Sequence, residues 1–317
     1  MADPLDALAT LYADLPGVVR RGGATYPVAV RSLPDGARVV VAADPVVVDP
    51  DLRAAGEAHL AAVRAASGAH DGKVLCLSSV AAGTDPAVPG PAAQDPTVVA
   101  GRGGYFDMLA TCDVLAGELD AAGPAATWDD LPLRRRVHDL AGDPFLAGHG
   151  RAAAFGVSVL LVVRTPDGPG VVVGRRSARV AAGRGRWHVA PSGMLEEARD
   201  GRHGATTVAT ELREELGVVR SVGAVGAGLR VVGLATDLER LRPDLVVVLD
   251  LDRDLEGAGR PDGAALVAGP EFDELEVVPL TPAGFAAFWA ARPPSAVTPP
   301  GAGALALLEG GLAGFGA

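Results

Sequence analysis

Hydrophobic positions fall in short beta-branched blocks at Tyr26–Arg31, Arg38–Ala42 and Lys73–Ser78, a pattern that predicts strands. Asp51–Ala66 instead spaces Leu, Ala and Val as an amphipathic helix does. Ala82–Gly104 is rich in Pro, Gly and Ala, has no period, and predicts a long surface loop. Helices are predicted at Phe106–Ala121 and Trp128–Leu140, the second opened by Asp129 and Asp130, whose charges suit a helix N-terminus. The texture then changes. Phe155–Arg164 and Val171–Arg176 read as a hairpin around the turn residues of Thr165–Gly170. A domain boundary is therefore expected near residue 150.

Further on, the pattern predicts a short strand at Arg186–Ala190, a helix from Thr206 to Leu216 stopped by Gly217, and strands at Leu229–Ala235, Leu245–Leu251 and Leu275–Val278. A helix is expected at Pro282–Ala290, then a Pro/Gly/Ala-rich tail with a small closing helix at Ala304–Leu312. Strands interspersed with helices make an α/β protein, divided as residues 1–150, 151–291 and a tail, 292–317.

Composition narrows the function. With 28 basic and 39 acidic residues, the net charge is −11, and Lys73 is the single lysine. A partner held by phosphate neutralisation needs a basic face, so nucleic acid is not expected. Cys76 and Cys112 lie in apolar settings without CxxC or Cys/His spacing, which argues against a disulfide framework or a zinc site. The N-terminal stretch is acidic and lacks a signal peptide's apolar core, and no apolar run approaches the roughly 20 residues of a membrane span. The expectation is a cytoplasmic protein with no membrane partner; oligomeric state is not legible. P-loop, HExxH and GxSxG signatures are absent.

The chemistry concentrates in Thr210-Glu-Leu-Arg-Glu-Glu-Leu-Gly-Val218. On a helix, Glu211, Glu214 and Glu215 share one sector, and Val208, Leu212 and Leu216 form a separate apolar stripe. Three carboxylates on one face repel each other. Either water solvates them or a hard cation such as Mg²⁺, which takes carboxylate and phosphate oxygens, offsets the charge. Spacing alone leaves both open.

This helix, preceded by Trp187-His-Val-Ala-Pro-Ser-Gly-Met-Leu-Glu196 and the 155–176 hairpin, resembles the Nudix box of Nudix hydrolases. The resemblance spans Phe155 to Leu280. It implies a Nudix α/β/α sandwich with a mixed sheet, preceded here by a smaller α/β domain. It implies Gly193 as the opening glycine and Glu211, Glu214 and Glu215 as catalytic, metal-binding glutamates for Mg²⁺, with Mn²⁺ as substitute. The implied reaction is attack of water on the diphosphate of a nucleoside diphosphate derivative, a small-molecule partner. Arg175 and Arg176 are candidates to grip that diphosphate, because a guanidinium fork matches phosphate oxygens; solvated strand-end arginines are the plainer alternative. Glu271 and Glu274 are candidate late-placed bases.

Two features depart from the family pattern. Thr210 replaces its arginine, and the loop between Gly193 and Glu211 is three residues longer, with Glu196, Glu197 and Asp200 as candidates to replace the loop glutamate. The segment Tyr105–Thr111, Arg175–Val180, the long loop and Arg242-Pro-Asp244 together look similar to the UDP-sugar-cleaving Nudix branch, which implies a nucleotide sugar such as UDP-glucose as substrate, giving a nucleoside monophosphate and a sugar phosphate. The rival reading is a Nudix-like nucleotide-binding or regulatory module with impaired hydrolysis. His188 reads either as a ligand contact or as a strand histidine satisfied by the backbone, and Arg242–Asp244 as a turn with an internal ion pair.

Overall fold

A computed structural model describes residues 5–34, 36–67, 70–81, 97–180, 182–251 and 266–311. Helix α1 (Leu5–Leu11) leads to strands β1 (Val18–Arg21), β2 (Ala24–Ser32) and β3 (Arg38–Pro45), helices α2 (Pro50–Ala55) and α3 (Glu57–Ser67), and strands β4 (Lys73–Ala81) and β5 (Thr97–Gly104). A continuous helical rod follows as α4 (Tyr105–Met108), a π-helical turn (Leu109–Asp113) and α5 (Val114–Ala122), then α6 (Pro132–Ala141). The second half holds β6 (Gly156–Thr165), β7 (Gly168–Arg176), β8 (Trp187–Val189), β9 (Ser192–Met194), α7 (His203–Leu216), α8 (Val222–Gly228), β10 (Arg230–Asp237), β11 (Arg242–Asp250), β12 (Phe272–Pro279), α9 (Pro282–Ala291) and α10 (Pro299–Gly310).

Among the described residues the strands form two sheets. The large one runs β1-β2-β10-β11-β6-β7-β12, with β8 paired to β7 and β9 to β6; the small one runs β3-β5-β4. The large sheet is mixed: β11 and β6 are parallel, with Val247 opposite Val159, and its other pairs are antiparallel. Alternation along β6 sends Val157, Val159 and Leu161 to one face, against Val208, Leu212 and Leu216 of α7. Leu160 and Val162 face the other side, against Phe285 and Phe288 of α9 and Leu305 of α10. Helices thus cover both faces, which is the α/β/α sandwich, and the smaller N-terminal α/β sheet lies beside it.

Residues 18–32 are built into the large sheet, since β2 pairs with β10 through Ala235 and Val30. Arg134 of α6, fully buried, ties the first half to the β10–β11 turn by donating to the carbonyls of Leu238 (2.5 Å) and Glu239 (2.6 Å).

Several elements differ from expectation. The helix predicted over 51–66 is interrupted at Gly56, where a Cβ would lie 2.0 Å from the Ala110 carbonyl oxygen, so the close crossing of the π-helical turn requires glycine there. Thr97–Gly104, expected within a loop, is the central strand of the small sheet, and residues 82–96 of that loop lie outside the described residues. Its Gly101 and Gly103 are needed because side chains there would meet Val46 and the Cys76 thiol. Helix α8 was not expected at all. The closing helix starts earlier than Ala304, because Thr298 caps it by accepting from the Gly301 N–H (3.2 Å) and Pro299 opens its first turn. No described helix is long and apolar enough to cross a membrane.

Candidate active site

Burial of Ala205, Val208, Leu212 and Leu216 fixes the rotation of α7, and Gly217 ends the helix in the left-handed region at φ 67°. The glutamate sector is thereby turned toward β9. Glu215 is buried, 2% exposed, and its Oε2 accepts from the Ser192 N–H at 2.8 Å, while its Oε1 has no hydrogen-bond partner. Burial, reinforced by the charges of Glu211 and Glu271, pushes the Glu215 carboxyl up to about 9; the Ser192 N–H acts in the opposite direction. Burial and the carboxylates of Glu271, Glu214 and Glu196 likewise push Glu211 up to about 7.

Gly193 is where β9 passes over this pair. A Cβ there would lie 1.9 Å from Glu211 Oε1 and 2.8 Å from its Cγ. Gly193→Ala is expected to displace a flexible side chain and no backbone. Its melting temperature should therefore stay close to wild type while turnover falls at least roughly tenfold, which thermal melts and steady-state kinetics check together.

Glu214 lies at the solvent edge of the sector, paired with Arg213 at 2.8 Å. Glu271 arrives from the segment before β12. Gly269 donates its N–H to the Glu215 carbonyl (2.6 Å), and Ser177 of the β7 end donates to the Glu271 carbonyl (2.8 Å). The structure therefore brings Glu271 to the site. Glu274 is held instead by Arg175, at 3.2 Å on the exposed strand pair. Alternation along β7 separates the two arginines. Arg176 shares the face of Val172, toward α7, and is largely buried; it donates to Ser192 Oγ (3.3 Å) and Glu271 (3.4 Å). Arg175 shares the face of Val173 and stands apart from the glutamates.

Two residues near the site had no sequence signal. Ser192 contributes its backbone N–H, which any residue type supplies. Ser158 donates its hydroxyl to the buried Asp244 (2.6 Å), whose carboxyl burial pushes up to about 6. Arg242-Pro-Asp244 is thus the start of β11 and not a turn with an internal pair: Arg242 reaches Asp113 (3.6 Å) and the Met194 sulfur (3.5 Å).

His188 is buried on β8 and hydrogen-bonded through Nδ1 to the Thr298 hydroxyl at 2.5 Å, away from the glutamates. Burial lowers its pKa to about 3. The folded protein therefore keeps His188 neutral while the unfolded chain takes up a proton below about 6.5, so this residue's contribution to stability is lost as pH falls from there toward 3. His188→Asn is expected to flatten that acid limb by up to about 1.4 kcal/mol per pH unit, as read from urea unfolding at pH 7 and pH 5.

Among the described residues no three His, Cys, Asp or Glu side chains already surround a common metal position. The donor set nevertheless fits a hard cation. It is made of carboxylates, one buried oxygen lacks a donor, and burial, reinforced by neighbouring negative charges, raises two of the carboxyls well above their ordinary range. A divalent ion held here would satisfy the orphan oxygen and lower both carboxyls.

Residues 154–297 match the NUDIX domain. That stretch carries β6 to α9 and every glutamate described above. No curated protein matches the chain. Among solved structures, a MutT/nudix family protein from Enterococcus faecalis is 18% identical, with 39% of this chain and 43% of that one covered and a TM-score of 0.29. A bifunctional NMN adenylyltransferase/ADP ribose pyrophosphatase from Francisella tularensis, complexed with AMP and a manganese ion, is 13% identical over 66% of this chain and 53% of its own, with a TM-score of 0.37. A Nudix hydrolase from M. smegmatis is 16% identical over 52% of this chain and 89% of its own, with a TM-score of 0.34. The chain thus spans about half the length of the first two.

Proposed function

We propose that this protein is a Mg²⁺-dependent hydrolase, with Mn²⁺ as substitute, that cleaves the diphosphate of a nucleoside diphosphate joined to another group. A nucleotide sugar such as UDP-glucose is the substrate class put forward, on the resemblance of the Tyr105–Thr111, Arg175–Val180 and Arg242–Asp244 segments to the UDP-sugar-cleaving branch. The products are then a nucleoside monophosphate and a sugar phosphate. The observation that carries the reading is Glu215, buried beside Glu211 and Glu271 with Oε1 lacking a donor.

Glu211 and Glu215, with Glu214 at the solvent edge, are the carboxylates to hold the cation. When bound, Mg²⁺ supplies Lewis acidity that offsets charge developing on the phosphoryl oxygens. Arg176 grips the diphosphate by exchanging its contacts to Ser192 and Glu271 for phosphate oxygens. Glu271, the more exposed carboxylate, accepts the proton of the attacking water as its oxygen bonds to phosphorus and the bridging P–O bond breaks. The second phosphate leaves as the other monoester. Each step uses a group on one side of α7, between β9 and the segment before β12.

Thr210 and the lengthened loop favour one other reading, a module that binds nucleotide without cleaving it. A panel of nucleotide sugars, ADP-ribose and dinucleoside polyphosphates incubated with Mg²⁺ separates the two. Release of a nucleoside monophosphate is expected. Binding that persists in EDTA with no product from any member of the panel supports the module instead.

A further inference from the structure

Strand register lays out a row of groups on the side of β9 that faces away from α7. Val157 pairs with Gly193, and both face α7; Gly156 and Ser158 therefore face the opposite side, together with their partners Met194 and Ser192 on β9 and Asp244 and Val246 on β11. The Asp244 carboxylate does not stay over its own strand. A Cβ on Gly156 would lie 2.3 Å from Asp244 Oδ1, 2.6 Å from its Cγ and 2.8 Å from its Oδ2, so the carboxylate leans across the bare glycine toward β9. Met194 pairs with that glycine, one strand spacing of about 4.8 Å away.

One oxygen of this carboxylate is taken and the other is open. Ser158 donates to Oδ2 at 2.6 Å, and no described residue donates a hydrogen bond to Oδ1. Arg242, two residues earlier on the same face, turns to Asp113 (3.6 Å) and the Met194 sulfur (3.5 Å) instead, and Arg176 stops at Ser192 Oγ (3.3 Å). Asp244 and Met194 remain partly exposed, whereas Gly156 and Ser158 are buried, so the row is closed beneath the carboxylate and open beside it. As a purely structural pair, Ser158 and Asp244 bring no gain. Leu160 and Val246, next on the same face, are apolar, and apolar side chains at 158 and 244 would fill the space without a partly desolvated charge.

We propose that Asp244 is a specificity-determining residue of the active site: while Arg176 grips the diphosphate beside Ser192, Asp244 Oδ1 accepts a hydrogen bond from a hydroxyl of the sugar next to that diphosphate. This inference rests on the hydrolase reading above. A sugar hydroxyl fits because the open position is a single acceptor and needs a single donor, whereas a further phosphate in the same place would meet a carboxylate. The ribose of the nucleoside and the sugar at the far end both carry such hydroxyls, and the test separates them.

Deoxy substrates and a charge-removing variant form a cycle that reads the contact itself. With the full chain and Mg²⁺, UDP-glucose is compared with its 2′- and 3′-deoxyuridine counterparts and with UDP-deoxyglucoses that each lack one hexose hydroxyl, or with the equivalent series of whichever panel member is cleaved best. In wild type, loss of the contacted hydroxyl is expected to raise KM about tenfold with kcat within about twofold. Asp244→Asn keeps the shape and a partner for Ser158. It is expected to raise KM for the parent about tenfold and to treat parent and deoxy substrate alike within about twofold, with a melting temperature close to wild type. Asp244→Ser is the second variant, with the same expectation. Coupling to a uridine hydroxyl assigns the contact to the nucleoside, and coupling to a hexose hydroxyl assigns it to the appended sugar; either supports the inference. Wild type that cleaves every deoxy substrate as well as the parent overturns it without any variant, and so does the same KM change toward every substrate, or none, in the variants. If wild type cleaves no member of the panel, the hydrolase reading falls as well; if it cleaves them and no coupling appears, the Asp244 inference alone falls.

Discussion

Glu215→Gln is expected to lower turnover about a thousandfold and, in the same protein, to raise stability. The two effects come from one cause. A carboxyl pushed up to about 9 in the fold, but ordinary in the unfolded chain, is protonated on folding at neutral pH and costs free energy there. Its contribution is most favourable below about pH 4.5 and is lost as pH rises toward 9. Glutamine keeps the shape and carries no such cost, so the variant is expected to gain roughly 1–3 kcal/mol at pH 8 and less at pH 5. Added Mg²⁺ is expected to stabilise wild type more at pH 8 than at pH 6, and to leave the variant almost unmoved. Thermal melts of both proteins at the two pH values, with and without Mg²⁺, measure all of this. A glutamate that served only as structure would show the same gain in stability without the loss of turnover and without the loss of the Mg²⁺ response.

Arg134→Met is expected to be the most destabilising of the substitutions considered. The guanidinium is fully buried and satisfies the carbonyls of Leu238 and Glu239 at the β10–β11 turn, with Tyr12 Oη and the Leu115 carbonyl as more distant acceptors at 3.4 Å. Methionine fills much of the volume but leaves those acceptors dry and unpaired. A loss of about 3–5 kcal/mol follows, near 10 °C in melting temperature. Arg134→Lys is expected to recover only part, because one ammonium cannot serve two carbonyls that the fork spans. Since this contact joins the N-terminal half to the large sheet, the loss should appear as one shifted transition and not as an early partial one. Loss of less than about 1 kcal/mol shows that the two halves do not depend on the contact.

How much of this was legible beforehand follows from range. Helix α7 was clear, because its apolar stripe and its glutamates repeat within four residues of each other. The β6–β7 hairpin was clear because its turn residues and its valines are adjacent. Both features are local, and both lie within residues 154–297. Strand β5 was hidden by Gly101, Gly103 and Gly104, residues that lower strand propensity and that close packing against Val46, Cys76 and Asp107 requires. Helix α8 was hidden for the same reason, as Val-Gly-Ala-Val-Gly-Ala-Gly has little intrinsic helicity and depends on Val225 being buried under α7 and β11.

In the site itself, the glutamates were predictable as a set but not as unequal members. That Glu215 is buried, Glu211 abuts Gly193 and Glu214 faces Arg213 depends on which side of α7 the sheet covers. The arginine pair shows the same limit. Residues 175 and 176 are neighbours in sequence, and strand alternation sends them to opposite faces; only Arg176 meets Ser192 and Glu271. The loop acid Glu197 pairs with Arg102, and Asp244 with Ser158; the partners are separated by 95 and 86 positions, and nothing in the local pattern of either marks the other.

The central claim is that Glu215 and its neighbours serve hydrolysis of a nucleoside diphosphate derivative. Phosphorus NMR of UDP-glucose incubated with the full chain and Mg²⁺ in ¹⁸O-enriched water tests it most directly. The account predicts that the two diphosphate resonances give way to two monophosphate resonances, one carrying the ¹⁸O isotope shift, in wild type and not in Glu215→Gln. Diphosphate resonances that persist unchanged, here and with the other diphosphates of the panel, contradict it, as does equal conversion by Glu215→Gln.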